Sequence, residues 1–130
     1  MKVRTKLKVK EESLMDKLAM KSNIAILTTV LNIFELRKNL REHYGLTLDD
    51  YLVLIYLNEF KNRQGKYFMR DVITYIGLDQ SRIVKSVKEL VKKGYLSKSR
   101  DLKDSRNVIL TLTELQQKTI ENILNEIIYR

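Results

Sequence analysis

The stretch "MRDVITYIGLDQSRIVKSVKELVKKGYLSKSRDLKDSRNVILTLT", Met69 to Thr113, decides the fold. Met69, Val72, Ile73 and Ile76 recur at helical spacing and Gly77 stops them, so a short helix is expected. After the tight Gly-Leu-Asp turn, Ile83, Val84, Val87, Leu90 and Val91 fall at positions i, i+1, i+4, i+7 and i+8, the apolar face of a second helix that Gly94 ends. "YLSKSR" and "NVILTL" then read as two strands of an antiparallel hairpin around a charged tip, with Val108, Leu110 and Leu112 on one face. Short helix, turn, basic amphipathic helix and charged ribbon together make a helix-turn-helix, about residues 69–93, followed by a wing, about 95–112.

That order has a physical purpose. A helix packed on one side and free on the other can enter the major groove of duplex DNA, while the ribbon reaches the flanking backbone or minor groove. The apolar face leaves Gln80, Ser81, Arg82, Lys85, Ser86, Lys88, Glu89 and Lys92 on the open side. Residues near the start of such a helix reach deepest, so Gln80, Ser81, Arg82 and Lys85 are the expected base-edge contacts: Gln suits adenine and Arg suits guanine. Lys88 and Lys92 fit phosphate contacts, which position a protein without reading sequence. Lys98, Arg100, Lys103 and Arg106 extend the footprint along the ribbon. Alone, the helix could equally be a surface helix with a solvated lysine face. The turn before it and the ribbon after it are what favour nucleic acid.

Outward from this centre the pattern is helical. From about Leu14 to His43, Met20, Ile24, Leu27, Leu31 and Phe34 recur at steps of four and three, with Gly45 as the stop. "TLDDYLVLIYLNEF" starts again: Thr47 can cap, Asp49 and Asp50 lie in the first turn, and the apolar run from Tyr51 to Leu57 predicts an enclosed helix. "KYF" can add a short strand. Thr113 with Gln116 forms a capping-box signature for a last helix, whose apolar side is Leu115, Ile120, Ile123, Leu124, Ile127 and Ile128.

Composition bounds the function. The chain has 130 residues, 44% hydrophobic and 32% charged, with no Pro and four Gly, which fits one folded, mainly α domain with a small β-hairpin. The net charge of +9 is concentrated. Residues 1–10 carry five Lys/Arg and no acid, and residues 80–106 carry nine Lys/Arg against three acids. Two basic patches on a near-neutral body are the pattern of a polyanion-binding surface. No Cys is present, which excludes disulfides, thiol switching and zinc-thiolate sites. The single histidine, His43, has no second His or Cys to complete a metal or catalytic site, and no phosphate-binding glycine loop or nucleophile with a base appears. An enzyme, a metal and a cofactor are therefore not expected. No apolar run approaches a membrane span, so a cytoplasmic protein without a membrane partner is expected.

The block also resembles a known family. "DSRNVILTLT" looks like the wing signature of the MarR-like regulators, with Asp and Arg flanking one residue and a Leu-Thr pair after five more. The longer run from Lys66 to Leu110 is similar to the staphylococcal accessory regulator (SarA) family; the resemblance covers about residues 23–128. It implies a winged-helix homodimer that binds AT-rich promoter DNA and controls virulence-associated transcription as an activator or repressor. Carried over by position, Gln80, Ser81, Arg82 and Lys85 fall in the recognition helix. Asp104 and Arg106 fall at the wing positions, where the resemblance implies that the Arg meets the minor groove and the acid helps to hold the loop. The chain departs from the SarA pattern at the wing tip, where "KDSRN" replaces an acid-rich run.

Two further expectations concern the flanks, and one the binding surface. The stripe Met20, Ile24, Leu27, Leu31 and Phe34, with Ile123 and Ile127, could simply close the core, but long terminal helices around a winged helix commonly build a two-fold interface, and dimerisation is the favoured reading. Residues 1–12 read as a basic N-terminal arm, able to follow a phosphate backbone or to remain a solvated tail, and residues 13–130 as the single winged-helix domain. Finally, the same surface could serve a winged-helix protein-interaction module or an RNA-binding module instead of a DNA-binding regulator.

Overall fold

A computed structural model of the chain describes the backbone of residues 2–128 and the side chains of residues 16, 17 and 19–128. The elements are α1 (Lys2–Tyr44), α2 (Leu48–Glu59), β1 (Lys66–Phe68), α3 (Met69–Ile76), α4 (Gln80–Lys92), β2 (Ser97–Arg100), β3 (Val108–Thr111) and α5 (Glu114–Ile128). The chain divides into two compact units, Met1–Asn39 and Leu40–Arg130.

The first unit is helical. Its helix begins at Lys2, not near Leu14, so the backbone of residues 2–12 runs on into α1. Lys, Arg, Leu and Glu dominate that segment, and their straight-chain stems lose little freedom in a helix. The side chains of residues 1–15 lie outside the described set.

The second unit carries the winged helix and holds the core. Leu40, Val53, Leu54, Val72, Ile83, Val87, Leu90 and Leu110 have no accessible surface, and Leu57, Leu96 and Ile120 almost none. Each such side chain contributes roughly 1.5–3 kcal/mol of transfer free energy on burial. Helix α2 starts on the expected capping box: Asp50 N donates to Thr47 Oγ1 and Thr47 N to Asp50 Oδ2, both at 3.0 Å. No residue from Tyr51 to Asn58 is exposed, in line with the enclosed helix expected there. Helix α3 ends at Gly77 in a left-handed conformation, φ 76°, with its N–H on Ile73 O.

"KYF" is indeed a strand, and it makes the hairpin a three-stranded antiparallel sheet in the order β1-β3-β2. Tyr67 pairs with Leu110, and Ser97–Arg100 pair with Thr111–Val108. The Tyr67 hydroxyl donates to Leu57 O at 2.8 Å, tying the sheet to α2 inside the core. Gly65 closes the turn before β1: its φ is +64°, and a Cβ there would stand 2.3 Å from Leu112 O. Only glycine fits that approach.

Helix α5 opens on the second expected capping box, Gln116 N to Thr113 Oγ1 at 3.1 Å and Thr113 N to Gln116 Oε1 at 2.9 Å. The Gln116 amide also donates to Gly94 O at 3.1 Å, which joins the start of α5 to the end of α4. Ile120, Leu124 and Ile127 form the buried stripe. Leu115 and Ile128, expected on that side, are exposed in the first and last turns of α5.

Candidate nucleic-acid interface

Helix α4 is turned by its buried face. Ile83, Val87 and Leu90 face the core, and so does Ser86, which is 4% exposed. Ser86 is therefore not on the open side where its helical position alone puts it: a hydroxyl can enter a core once it has a partner, and Ser86 Oγ donates to Asp50 Oδ1 at 2.5 Å. Val84, expected inside, lies on the outer side at 37% exposure. The packed stripe thus includes Ser86 and leaves out Val84.

Gln80, Ser81, Arg82, Lys85, Lys88 and Lys92 are exposed, as expected, and Glu89 is half-buried with Lys92 Nζ 3.7 Å from its carboxylate. Lys93 does not join this outer row. Its Nζ donates to Gly45 O and sits 3.9 Å from the Asp50 carboxylate, so it binds back to the start of α2. Arg82 carries a bidentate bond: Nε to Asp49 Oδ2 at 3.0 Å and Nη2 to Asp49 Oδ1 at 2.6 Å. The Asp49 carboxylate raises the Arg82 guanidinium further above its usual range, first by these hydrogen bonds and then by charge. Sequence reasoning assigned Asp49 to the helix start alone.

The wing tip is ordered by its own side chains. Asp101 N donates to Asn107 O and Asn107 N to Asp104 O, both at 2.9 Å. Arg106 donates its backbone N–H (3.1 Å) and Nε (3.0 Å) to Asp104 Oδ1 and its Nη2 (3.0 Å) to Oδ2. Those bonds from Arg106 hold the Asp104 carboxyl below its ordinary value. Arg100 Nη1 donates to Ser105 O at 3.1 Å and Lys103 N to Asp101 Oδ1 at 3.1 Å. Lys98, Arg100, Lys103 and Arg106 are all exposed, and so, completely, is Leu102 at the tip.

Between the two parts lies a groove of about 320 Å³ lined by Phe68, Met69, Arg70, Ile73, Thr74, Gln80, Arg106, Asn107 and Val108. It joins the first residue of α4 to the wing. Arg70 was not anticipated there. It lies over the Phe68 ring at 4.8 Å, with Nη1 3.5 Å from Asn107 Oδ1, because the β1–β3 register brings the start of α3 beside the wing. Among the described residues no group of three His, Cys, Asp or Glu could hold a metal ion.

The residues expected at a dimer interface fall into two sets. Met20, Ile24, Leu27, Leu31 and Phe34 are between 53% and 61% exposed in the single chain. Ile127 is buried at 5% and Ile123 is half-buried, so the α5 pair serves the chain's own packing.

The profile of the transcriptional regulators SarA/Rot matches residues 35–123, which span the end of α1 to most of α5. The chain belongs to the SarA/Rot family. The HTH-type transcriptional regulator SarT of Staphylococcus aureus strain MSSA476 is 61% identical over 113 residues, covering 87% of this chain and 96% of SarT. Among solved structures, reduced AbfR bound to DNA, from a Staphylococcus epidermidis protein, superposes with TM-score 0.66 at 21% identity, over 89% of this chain and 81% of AbfR. Sco3205, a MarR family regulator from Streptomyces coelicolor in complex with DNA, superposes with TM-score 0.66 at 20% identity, over 86% and 68% of the two chains. These two show the MarR-like winged-helix fold. The SarA/Rot family is one of regulators and not of enzymes, and the resemblance carried by the wing and recognition helix is thereby borne out. No described helix is long and apolar enough to cross a membrane.

Proposed function

We propose that this SarA/Rot family member is a cytoplasmic regulator that binds double-stranded promoter DNA as a homodimer. Helix α4 enters the major groove and the wing follows the adjacent backbone and minor groove. One observation carries the reading: the exposed row Gln80, Ser81, Lys85, Lys88 and Lys92 continues through the groove at Gln80, Arg70 and Arg106 into the wing cations Lys98, Arg100 and Lys103. A stripe of that length matches a charged duplex better than it matches a compact ligand. The basic segment 1–12 adds sequence-independent attraction for phosphate. Dimerisation uses the exposed α1 stripe, which places two reading heads on one duplex and multiplies their affinities. Family membership favours AT-rich promoters of virulence-associated genes as the targets.

The test is competition binding on genomic promoter fragments across a salt series. The expected log-log slope is about −0.9 for each phosphate neutralised, with duplex preferred over single-stranded competitor. A flat salt response, or equal binding of single strands, overturns the reading.

A further inference from the structure

The Asp49–Arg82 bond lies between the start of α2 and the first turn of α4, so it couples a residue outside the helix-turn-helix to the expected reading surface. A guanidinium has five N–H donors on a rigid plane. Asp49 takes Nε and one Nη2 hydrogen, which together make the side edge of the fork. The end edge, one hydrogen from Nη1 and the second from Nη2, has the same spacing and suits guanine O6 and N7 equally well. The carboxylate therefore occupies one edge and leaves the other complete. The Arg82 side chain remains half exposed while that of Asp49 is 23% exposed, so the anchor is the more enclosed partner and the cation the more open one.

We infer that Asp49 is a positioning residue for base reading: it fixes the Arg82 guanidinium so that its free edge meets a base in the major groove. Two consequences separate this from a surface ion pair of no function. An Arg held in one orientation loses less rotamer freedom on binding, and that gain appears only at the base pair which Arg82 reads. Its charge is also already paired with a carboxylate, so it draws phosphates less indiscriminately than a free arginine does. Removing Asp49 thus lowers discrimination while leaving non-specific affinity equal or higher.

This inference rests on the proposed binding of duplex DNA. The experiment selects duplexes from a randomised pool with the full-length wild type, Asp49→Ala, Asp49→Asn and Arg82→Ala. Thermal unfolding and circular dichroism check each fold. Arg82→Ala should erase the preference at one base position. Asp49→Ala should weaken it at that same position by about two- to fivefold, the range of an exposed ion pair, with Asp49→Asn in between and other positions unchanged. The Arg82 Nε–H resonance, distinct in the wild type, should merge with the other arginines in Asp49→Ala. A preference at that position unchanged in both Asp49 variants overturns the inference and leaves the proposed function standing. So does an equal loss at every position. A wild type that selects no sequence and binds no duplex overturns both.

Discussion

Ser86 donates to Asp50 inside the core, and this bond ties the buried face of α4, which Ser86 shares with Ile83, Val87 and Leu90, to the start of α2. Asp50 also caps α2 through Thr47 and lies 3.9 Å from Lys93, so one buried carboxylate ties the start of α2 to the middle and the end of α4. With Ser86 inward, Gln80, Ser81, Val84, Lys85 and Lys88 must point outward. The proposed reading surface is thus defined by what lies behind it.

Asp50→Ala removes the side-chain half of the capping box, the acceptor for Thr47 N, and strands the Ser86 hydroxyl, and should cost about 2–4 kcal/mol in urea unfolding. Ser86→Ala leaves the carboxylate with Thr47 and Lys93 and should cost about 1 kcal/mol. The double variant should cost less than the sum, because both changes remove one bond. Strict additivity would show that the pair does not act as a unit.

The distance between partners explains what was legible. Capping boxes at Thr47 and Thr113 span three residues, and periodicity within one helix places Ile83, Val87 and Leu90; both signals are local and legible in the sequence. Ser86 inward, Asp49 on Arg82 and Arg70 at the wing are set by partners 36, 33 and 37 residues away. A polar residue in a helix pattern counts as outward until such a partner is known. The aligned apolar pattern also could not distinguish Ile127, inside the core, from Leu27, outside it, since both are apolar at helical spacing.

Gly65 and Gly77 offer a contrast in one measurement. Both have positive φ, but a Cβ at Gly77 meets open space while one at Gly65 runs into Leu112 O. Gly77→Ala should cost about 1 kcal/mol, the backbone term alone. Gly65→Ala should cost about 3 kcal/mol or more, because Leu112 must also leave its bond to Gly65 O. Equal losses in denaturant unfolding would mean that the turn relaxes freely.

The wing should respond to acid in a defined direction. The Asp104 carboxyl is held below its ordinary 3.8 by Arg106, so the order it confers is complete above the unfolded value and is lost as pH falls through the lower folded value. A titration followed at the Asp104 side-chain carbon should therefore show a midpoint below 3.8, with the Arg106 Nε–H signal lost in step. Asp104→Asn should abolish the step and leave the sheet intact. A midpoint at or above 3.8 would contradict the ion pair.

Lys85 and Lys92 separate reading from holding. Both are exposed on α4, two turns apart, with Lys85 nearer the start proposed to enter the groove and Lys92 in the last turn beside Glu89. Lys85→Ala should relax sequence preference, whereas Lys92→Ala should weaken all duplexes alike and reduce the salt slope by about 1. Identical profiles for the two variants would end the division into base and phosphate contacts.

The α1 stripe makes the last prediction. Met20, Ile24, Leu27, Leu31 and Phe34 alternate steps of four and three, the spacing of a helix-pair seam, and each leaves more than half its surface open. Isolated exposed leucines are ordinary, but five in register along one helix face form a continuous apolar strip that a second copy can cover. Leu27→Asp puts a charge in that strip and should convert a dimer to a monomer in sedimentation velocity, with operator affinity falling by roughly a hundredfold as the linkage of two reading heads is lost. Ser22→Asp, on the opposite side of the same helix, should change neither. If Leu27→Asp remains dimeric, the interface lies elsewhere and the strip needs another occupant.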